Sequence, residues 1–456
     1  MNEMSPSIPN ESDPVCVIGG GAAGMMAALV AADRGAEVVL LEKSVLRGTN
    51  AQLSGGLLQA AGTRYQMELG IDDSPELMMA DIMRKNGGNA SVPVVQAICA
   101  RSKDFVHFIA DRVGLDLHLN TSIPWHGHSA FRMHAGPTEH GAELVSTFRH
   151  VVRQHPRITF VDKASVSGVV VEGRRVVGVR SGHGANDVLG ARAVVLACDG
   201  FGGSRKLLAT HCPDALAAHY IGSENNVGDG LLYGLEIGAA VERMSSWQGH
   251  AHVNPKHGTH LSGGLPYLGS FMVNLNAVRF AREDEGYSEL TPRILAQPSG
   301  LAVEIFDQRI VDAMWDNGVF RQGYEAGAVR RFETVAELAG GFALPVDALE
   351  ESMRSFNAAA QGELPDPFGR VSSGTPLVAP FYGAMITGGL AHTQGGLRVD
   401  VNTAVLDERG ERIPGLFAAG GTAAGMSGEG VAGYTSGNGL AHAFATGLIA
   451  GETVSP

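Results

Sequence analysis

Cysteine is scarce in this 456-residue sequence, which has four: Cys16, Cys99, Cys198 and Cys212. They are far apart and form no Cys-x-x-Cys pair, so the sequence predicts neither a zinc site nor a disulfide framework. This cysteine usage fits a reducing compartment, and we predict a cytoplasmic location.

Long apolar runs and targeting segments are also missing. No apolar run approaches the roughly 18 residues that suggest a membrane span, so none is predicted. Residues 1–12, MNEMSPSIPNES, lack the basic and apolar regions of a signal peptide. Their polar, Pro- and Ser-rich composition predicts a disordered lead-in.

Positive charge is in the minority, with 34 Lys and Arg against 47 Asp and Glu and a formal net charge of −13. This balance argues against non-specific binding to nucleic acid or to anionic membranes. Four histidines stand close together at His250, His252, His257 and His260. Because no carboxylate or cysteine accompanies them at ligand spacing, no metal site is predicted.

Glycine, in contrast, is abundant, with 62 residues. Segment 14–44 reads as a buried strand, a glycine turn, a helix and a second strand that ends in an acid. Gly19 allows the tight turn, Gly21 lets a pyrophosphate approach the helix N-terminus, and Gly24 lets helix and strand pack. Glu42 is placed to accept a hydrogen bond from a ribose. The segment therefore predicts a dinucleotide-binding βαβ unit.

Further apolar runs at 158–161, 166–171 and 193–197 predict strands that extend the same sheet. The composition then changes after about residue 250 and becomes glycine-rich again after residue 378. We predict an α/β fold in which a Rossmann-type domain is interrupted by an inserted α+β capping domain, with ligand sites at the seam. Residues 13–249 and 379–456 together form the predicted nucleotide-binding domain, and residues 250–378 form the predicted capping domain.

Six motifs in the same order resemble one flavoprotein family. They are VIGGGAAGMMAAL, LLEKSVLRGTNAQLSGG, GDG at 228–230, VNLNAVRFARE, AHTQGGLRVD, and IPGLFAAG followed by SGNGLAHAFATG. The family includes fumarate reductase, the succinate dehydrogenase flavoprotein, urocanate and tricarballylate redox enzymes, and 3-ketosteroid Δ1-dehydrogenase. The resemblance spans nearly all of residues 14–451.

The resemblance implies an FAD-dependent oxidoreductase that acts on CH–CH groups. Members with covalently bound flavin carry a histidine near the second glycine cluster, and NAQLSGG has none, so non-covalent FAD is implied. The loop at 437–440 opens the last helix, whose N-terminus would stabilise negative charge on the reduced flavin. The implied cofactor contacts are Gly19, Gly21, Ala23, Gly24, Glu42, Lys43, Asn50, Ala51, Ser54, Gly55, Gly56, Val166, Asp229, His392, Gly421, Asn438, Gly439 and Leu440.

Two departures from the family pattern concern flavin contacts. The usual ATGG reads ACDG at 197–200, and the glutamate that often follows the last AAG is Gly421. Both weaken individual contacts without changing the family assignment.

A third departure concerns the substrate. By resemblance, Gly263 and Pro266 stand where fumarate reductases carry a proton-relaying Glu and Arg, and Tyr287 stands where they carry the acidic Arg. The last glycine-rich loop, 421–440, contains no Arg or Lys to clamp a carboxylate. A dicarboxylate would therefore be desolvated without a bidentate partner, at a cost of several kcal/mol. Fumarate and succinate are disfavoured as substrates.

A tyrosine at this position is similar to the catalytic Tyr of 3-ketosteroid Δ1-dehydrogenases. A phenol with a pKa near 10 needs stabilisation of its phenolate to act as a base. Tyr434, His392 or the N–H groups of 430–433 are candidates to hold an enolate oxygen. The predicted catalytic residues are Tyr287, Tyr434 and His392, with the choice of base between the two tyrosines open; the predicted substrate contacts are His250, Ser262, Gly56, Arg132 and Gly433.

Three hypotheses follow. The first is an α,β-dehydrogenase (desaturase) of a ketone, steroid-like or a smaller cyclic ketone, with or without a carboxylate that Arg132 would meet. The second is a reductase of an activated C=C bond in an unsaturated acid. The third is a flavin-binding redox partner without its own substrate. The first two need an external electron acceptor or donor that the sequence does not identify.

Overall fold

The computed structural model describes Asn10 and residues 12–44, 48–181, 187–371 and 375–455. The predicted lead-in falls almost entirely outside these residues. The strands, in chain order, are β1 (Val15–Ile18), β2 (Val38–Glu42), β3 (Leu58–Gln59), β4 (His118–Asn120), β5 (Met133–Ala135), β6 (Ile158–Asp162), β7 (Val166–Glu172), β8 (Arg175–Ser181), β9 (Val188–Gly190), β10 (Ala193–Leu196), β11 (His219–Tyr220), β12 (Val241–Glu242), β13 (Trp247–Val253), β14 (Phe271–Asn274), β15 (Leu301–Asp307), β16 (Val329–Phe332), β17 (Phe381–Thr393), β18 (Gly396–Leu397), β19 (Ala404–Leu406) and β20 (Arg412–Ala418).

The α-helices connect and cover these strands. In chain order they are α1 (Ala22–Asp33), α2 (Asn50–Leu53), α3 (Arg64–Glu68), α4 (Pro75–Lys85), α5 (Val92–Ala100), α6 (Ser102–Phe108), α7 (Gly141–Gln154), α8 (Arg205–His211), α9 (Asp229–Glu236), α10 (Leu265–Leu268), α11 (Tyr287–Leu295), α12 (Gln308–Met314), α13 (Gly318–Glu325), α14 (Val335–Phe342), α15 (Val346–Ala360) and α16 (Asn438–Thr453).

The first sheet has six strands in the order β19-β20-β10-β1-β2-β6. All neighbours pair in parallel except β19 and β20, which are antiparallel. Every residue of β1 is buried, as expected for a central strand covered on both faces. The predicted Rossmann-type α/β class is confirmed, with β1, α1 and β2 forming its βαβ unit.

The two ends of the chain meet where α1 packs against α16. Almost every side chain of α1 is buried, because the helix lies between the sheet and α16. Gly447 and Gly451 allow the close approach: an added Cβ would lie 2.5 Å from the Ala23 carbonyl oxygen and 2.7 Å from the Ala27 carbonyl oxygen, respectively. This contact sets the position of the N-terminus of α16 beside the βαβ turn.

The run at 166–171 forms a strand, but the prediction that it extends the first sheet is wrong. β7 pairs antiparallel with β8, and β8 with β9, in a separate three-stranded sheet. A tight turn with Gly173 at φ +60° joins β7 to β8, so the strand finds its partner in the next chain segment. The other two runs, β6 and β10, do lie in the first sheet.

The second sheet is built around the long strand β17, which pairs with β11, β13, β15 and β16; β14 pairs with β15. Helix α11 lies across β13 and β17. This sheet includes β13, which crosses the predicted boundary at residue 250, and β17, which follows residue 378. The division into domains stays a prediction, and the second sheet takes strands from both sides of each predicted boundary.

No helix in the described part of the chain combines the length and apolar character needed to cross a membrane.

Candidate active site

A cavity of about 470 Å³ runs from the β1–α1 turn to the face of the second sheet that carries α11. Sixteen of the eighteen predicted cofactor residues line it, all except Gly24 and Asn438. The predicted residues Tyr287, Tyr434, His250 and Ser262 line it as well. The fold therefore brings most of the predicted residues to one continuous space.

The glycines of the β1–α1 turn form a cradle. A Cβ on Gly19 would lie 2.2 Å from the Ala197 carbonyl oxygen, and one on Gly24 would lie 1.8 Å from the Gly19 carbonyl oxygen. Gly24 thus acts in packing behind the cavity. At Gly21 the nearest atom to a Cβ is 4.0 Å away, and no side chain caps the start of α1. The N-terminus of α1 is therefore open to an anionic diphosphate.

Two charged groups stand at the end of β2. The carboxylate of Glu42 accepts hydrogen bonds from the N–H groups of Gly20 (2.7 Å) and Ser44 (2.7 Å), and each oxygen keeps a lone pair for a ligand. Lys43 Nζ lies 2.6 Å from Asp229 Oδ2. Lys43 is the only Lys or Arg among the described residues that line the cavity.

The two departures from the family pattern, ACDG at 197–200 and Gly421, lie next to each other in the structure. Asp199 lies at φ +64°, and a Cβ on Gly421 would be 2.3 Å from its Oδ1. Asp199 Oδ2 accepts a hydrogen bond from Asn226 at 2.9 Å, which fixes the side chain. The carboxylate of Asp199 therefore occupies the space next to residue 421 that a side chain there would need.

The N-terminus of α16 meets the same cavity. Its preceding residue, Gly437, has φ +83°, and no side chain caps the helix. Gly439 and Leu440 line the cavity, whereas Asn438 is fully buried and accepts a 2.5 Å hydrogen bond from Gln59. The Asn438 side chain therefore holds the start of α16 in place, and the predicted contact of residue 438 with the cofactor stays a prediction.

Five side-chain rings line the inner end of the cavity, each packed against the next. We call this set the ring wall; in spatial order it contains His260, His250, Tyr287, Tyr434 and His392. Successive ring centroids are 4.6, 5.2, 6.1 and 6.0 Å apart. Trp125 packs edge-on against Tyr287 at 6.2 Å. Such spacings are typical of packed aromatic contacts.

The place of Tyr287 in the ring wall depends on two glycines. A Cβ on Gly263 would lie 2.5 Å from Tyr287 Cδ1, so the tyrosine ring fills the space that a side chain at 263 would take. A Cβ on Gly249 would lie 2.5 Å from Thr291 Oγ1, so α11 can approach β13 closely. Tyr287 and Gly263 therefore depend on each other sterically.

Burial raises the pKa of Tyr287 well above its usual value and raises that of Tyr434 to about 12. A hydrogen bond from Ser436 to Tyr287 opposes the first rise; hydrogen bonds from the Gly439 N–H and from Tyr287 oppose the second. Gly439 N lies 3.2 Å from Tyr434 Oη. Both phenols are neutral at physiological pH, and Tyr287 interacts with Ser436 on one side and with Tyr434 on the other.

The three histidines of the ring wall are also neutral. Burial lowers the pKa of His250 well below its usual value, lowers that of His260 to about 4, and lowers that of His392. His250 Nδ1 accepts a hydrogen bond from the His252 backbone N–H at 3.4 Å. The proton of neutral His250 therefore sits on Nε2. The ring wall as a whole carries hydrogen-bonding groups but no charge.

The comparison with known families now decides the class of protein. The sequence profile of the FAD binding domain family matches residues 14–440. This chain belongs to that family. FAD is therefore its cofactor, and the uncapped starts of α1 and α16 and the glycine cradle fit a dinucleotide with a flavin. The protein is an FAD-dependent oxidoreductase.

Two curated relatives span most of this flavoprotein. A "Probable fumarate reductase" of Shewanella frigidimarina is 29% identical over 455 residues, covering 98% of this chain and 75% of its own. A "3-oxosteroid 1-dehydrogenase" of Mycobacterium tuberculosis is 25% identical over 539 residues, covering 91% and 93%. Among solved structures, the open conformation of a flavocytochrome c3 fumarate reductase matches with a TM-score of 0.80 and 28% identity, covering 98% of this chain and 78% of that one.

The structure does not bring Arg132 to the cavity of this flavoprotein. Its side chain is fully buried and forms two 2.8 Å bonds to Asp73 and a further bond to Asp81. A guanidinium held by two carboxylates has no donor directed at a substrate. The predicted substrate role of Arg132 is therefore wrong, because its charge is needed to stabilise a buried acidic pair.

Gly433 also lies outside the cavity lining. Its N–H donates to Glu289 Oε1 at 3.4 Å, and a Cβ would lie 2.8 Å from Asn86 Cα. The predicted substrate contact and the use of this N–H for an enolate oxygen are therefore corrected: Gly433 forms a packing contact between the last glycine-rich loop and the end of α4.

Several residues of the site were missed from the sequence. Trp125 and His260 line the cavity, and Ser436 contacts Tyr287. Ser436 had a usable signal, since it follows Tyr434 in the same loop. Trp125 had none, because its contact with Tyr287 joins segments that are distant in the chain. Within the described residues, no group of three or more His, Cys, Asp or Glu side chains is arranged to hold a metal ion.

Proposed function

We propose that this oxidoreductase, which acts on CH–CH groups, desaturates the bond next to the carbonyl group of an uncharged cyclic ketone, either steroid-like or smaller. The neutral ring wall is the observation that supports this proposal most. Lys43, the one Lys or Arg among the described lining residues, is already paired with Asp229. A dicarboxylate bound against the ring wall would lose its hydration without gaining a charged partner.

FAD, when bound, supplies a two-electron acceptor for the hydride that leaves Cβ of the ketone. The residues that would hold it are those of the glycine cradle, Glu42 and the start of α16. Its attachment is proposed to be non-covalent.

The proton chemistry is assigned to the two tyrosines. Tyr434 Oη accepts a hydrogen bond from the Gly439 N–H, so its own proton is left to donate to the substrate carbonyl oxygen. Tyr287 takes the Cα proton while it passes its own proton to Tyr434. The ketone becomes its enol, and both phenols end neutral. When the hydride leaves Cβ, the enol O–H proton would leave by way of Tyr434, so that the net change is loss of one hydride and one proton and the product is the neutral enone. Because no phenolate is formed, the raised pKa values of the two tyrosines do not oppose this route.

Anaerobic reduction of the flavin distinguishes a ketone dehydrogenase from a dehydrogenase of a dicarboxylate. The FAD-loaded protein is mixed without oxygen with a saturated cyclic ketone, a 3-ketosteroid and succinate, and flavin absorbance is followed. We expect a ketone to bleach the flavin and succinate not to. Tyr287→Phe should slow bleaching by about 10²–10⁴-fold, the usual contribution of acid–base catalysis. Tyr324→Phe is the matched control, since Tyr324 packs against Trp315 and Phe320 and does not line the cavity.

Deuterium exchange tests the enol step by itself. In heavy water, the parent protein should incorporate deuterium at Cα of the ketone without net oxidation, as measured by mass spectrometry, and Tyr287→Phe should not. Equal exchange in the two proteins would rule out Tyr287 as the residue that handles the Cα proton.

Reduction of an activated C=C bond in an unsaturated acid is the second candidate. The similarity to the probable fumarate reductase favours it, as do the protonated tyrosines, which are proton donors in that direction. Fumarate and cyclohexenone are offered to the reduced protein. Faster reoxidation by fumarate than by the enone would favour this candidate and contradict the ketone proposal.

A further inference from the structure

Lys85, the last residue of α4, forms an ion pair beside the site that no sequence motif indicates. Its Nζ lies 2.5 Å from Glu289 Oε1, and Glu289 follows Tyr287 in the first turn of α11. The same Glu289 oxygen accepts the Gly433 N–H at 3.4 Å, and Lys85 Nζ lies 3.1 Å from His126 Nδ1. The two side chains are only 10% and 18% exposed. One buried carboxylate therefore links α4, α11 and the loop that carries Tyr434.

The residues around this pair are fixed by separate contacts. Asn86 donates its side-chain amide to the Met426 carbonyl oxygen at 2.8 Å, which docks the end of α4 on the last glycine-rich loop. Ser288 accepts the Gly249 N–H at 2.9 Å and donates to the Val431 carbonyl oxygen at 2.8 Å. The residue after Tyr287 is thus tied to β13 and to the same loop. The start of α11 has little freedom to move.

We propose that the Lys85–Glu289 ion pair is a positioning device for Tyr287: it holds the start of α11 against the Tyr434 loop and controls the electrostatic field at the Tyr287 phenol. Neither residue belongs to the ring wall or lines the cavity. They act through Tyr287. This inference rests on the proposed role of Tyr287, but its main test needs no substrate.

The groups that face Tyr287 come from several elements. They are Tyr434 from the last loop, Tyr267 from α10, His250 from β13, Trp125 and Ser436, with Glu289 on its own helix and Lys85 and His126 beyond it. Burial lowers the pKa of His126 to about 4, so it is neutral. Glu289 is the charged group that acts on Tyr287 directly, with Lys85 as its partner, whereas the Arg282–Asp284 pair acts on Tyr267 and His126. The negative charge of Glu289 disfavours a Tyr287 phenolate, and Lys85, as the ion-pair partner of Glu289, should weaken that effect.

Removing either charge should therefore move the titration of Tyr287 in opposite directions. Glu289→Gln removes the charge carried by the helix of Tyr287 and should lower the titration midpoint by about one pH unit, the order of a unit-charge interaction in a protein. Lys85→Met leaves Glu289 uncompensated and should raise the midpoint by a smaller amount. The double variant should lie between the two single variants. Simple loosening of α11 would not produce shifts of opposite sign.

The measurement uses the FAD-loaded protein made with fluorotyrosine, whose phenol is more acidic, and follows fluorine NMR signals with pH. The Tyr287 signal is the one lost in Tyr287→Phe. Arg293→Met is the matched control, because it breaks an ion pair of the same helix with Glu285 on the solvent side. It should leave the midpoint unchanged.

The outcomes separate this inference from the proposed function. Midpoints that stay together or shift in the same direction in Glu289→Gln and Lys85→Met overturn the inference, whatever the substrate. Opposite shifts combined with no reaction towards any ketone support the inference and remove the proposed function. If a single variant does not fold, the charge-reversed pair Lys85→Glu/Glu289→Lys is titrated; it places the positive charge on α11, so its midpoint should lie below the parent's, and an unchanged or raised midpoint would contradict the inference.

Discussion

Replacing Arg132 with methionine distinguishes a structural role from a role in substrate binding. The side chains of Arg132, Asp73 and Asp81 are all fully buried. Burial raises the pKa of Asp81, but hydrogen bonds from Arg132, Ser129 and Arg84 lower it to about 2. Arg132→Met removes the positive charge at the centre of this group and keeps most of the apolar volume.

The expected loss comes mainly from Asp73. Asp81 keeps Arg84 at 2.6 Å and two hydrogen bonds from Ser129. Asp73 loses both of its bonds to Arg132 and keeps only neutral donors, Gln66 and Ser74. Breaking a buried ion pair from one side typically costs about 3–5 kcal/mol. We expect Arg132→Met to lose free energy of unfolding in that range.

Urea unfolding, followed by tryptophan fluorescence, measures this loss. Arg84→Met is the control: it contacts the same Asp81, but its side chain is 62% exposed, so we expect about 0–1 kcal/mol. Arg132→Met/Asp73→Asn should recover part of the stability, because the unpaired carboxylate is gone. The reasoning would be refuted if Arg132→Met unfolded like Arg84→Met and its only defect were weaker binding of a carboxylate-bearing ketone.

Two further predictions concern the cofactor cradle and pH. Gly24→Ala should weaken FAD affinity at least tenfold in fluorescence titrations, because its Cβ meets the Gly19 carbonyl oxygen at 1.8 Å; Gly190→Ala, with nothing within 4 Å, should not. Burial lowers the pKa of His134 to about 4. Between about pH 6.5 and pH 4, His134 binds a proton in the unfolded chain but not in the native state. The free energy of unfolding should therefore fall by about 3 kcal/mol over this range because of this residue. His134→Gln should flatten urea midpoints over that range; an unchanged slope would contradict this assignment.

The local parts of the fold were predictable from the sequence. The strand, helix and second strand predicted for segment 14–44 are observed as β1, α1 and β2, and β2 ends at the predicted acid, Glu42. Their signals are local, since an apolar run, a glycine turn and a helix repeat lie next to each other in the chain. The sheet of β7 was not predictable in the same way. Apolar character identifies a strand, but the strand's partner depends on the turn that follows it.

Pairs of residues that share one space were beyond sequence reasoning. Gly421 looked like the loss of an acid, yet Asp199 fills that space. Gly263 looked like the loss of a relay, yet the Tyr287 ring occupies it. In both pairs a glycine and a larger side chain are distant in sequence and adjacent in space. Only the folded structure shows that the larger side chain of each pair occupies the space next to its glycine.

The sequence by itself determined the family, the FAD cofactor and the class of fold, and it predicted Tyr287 as a catalytic residue. These features are carried by short motifs whose chemistry is local. The tertiary structure decided which charges are available: it pairs Lys43 with Asp229, buries Arg132 between two aspartates and places Lys85 against Glu289 behind Tyr287. The role of a charged residue does not follow from the sequence alone, because the fold determines which partner it pairs with.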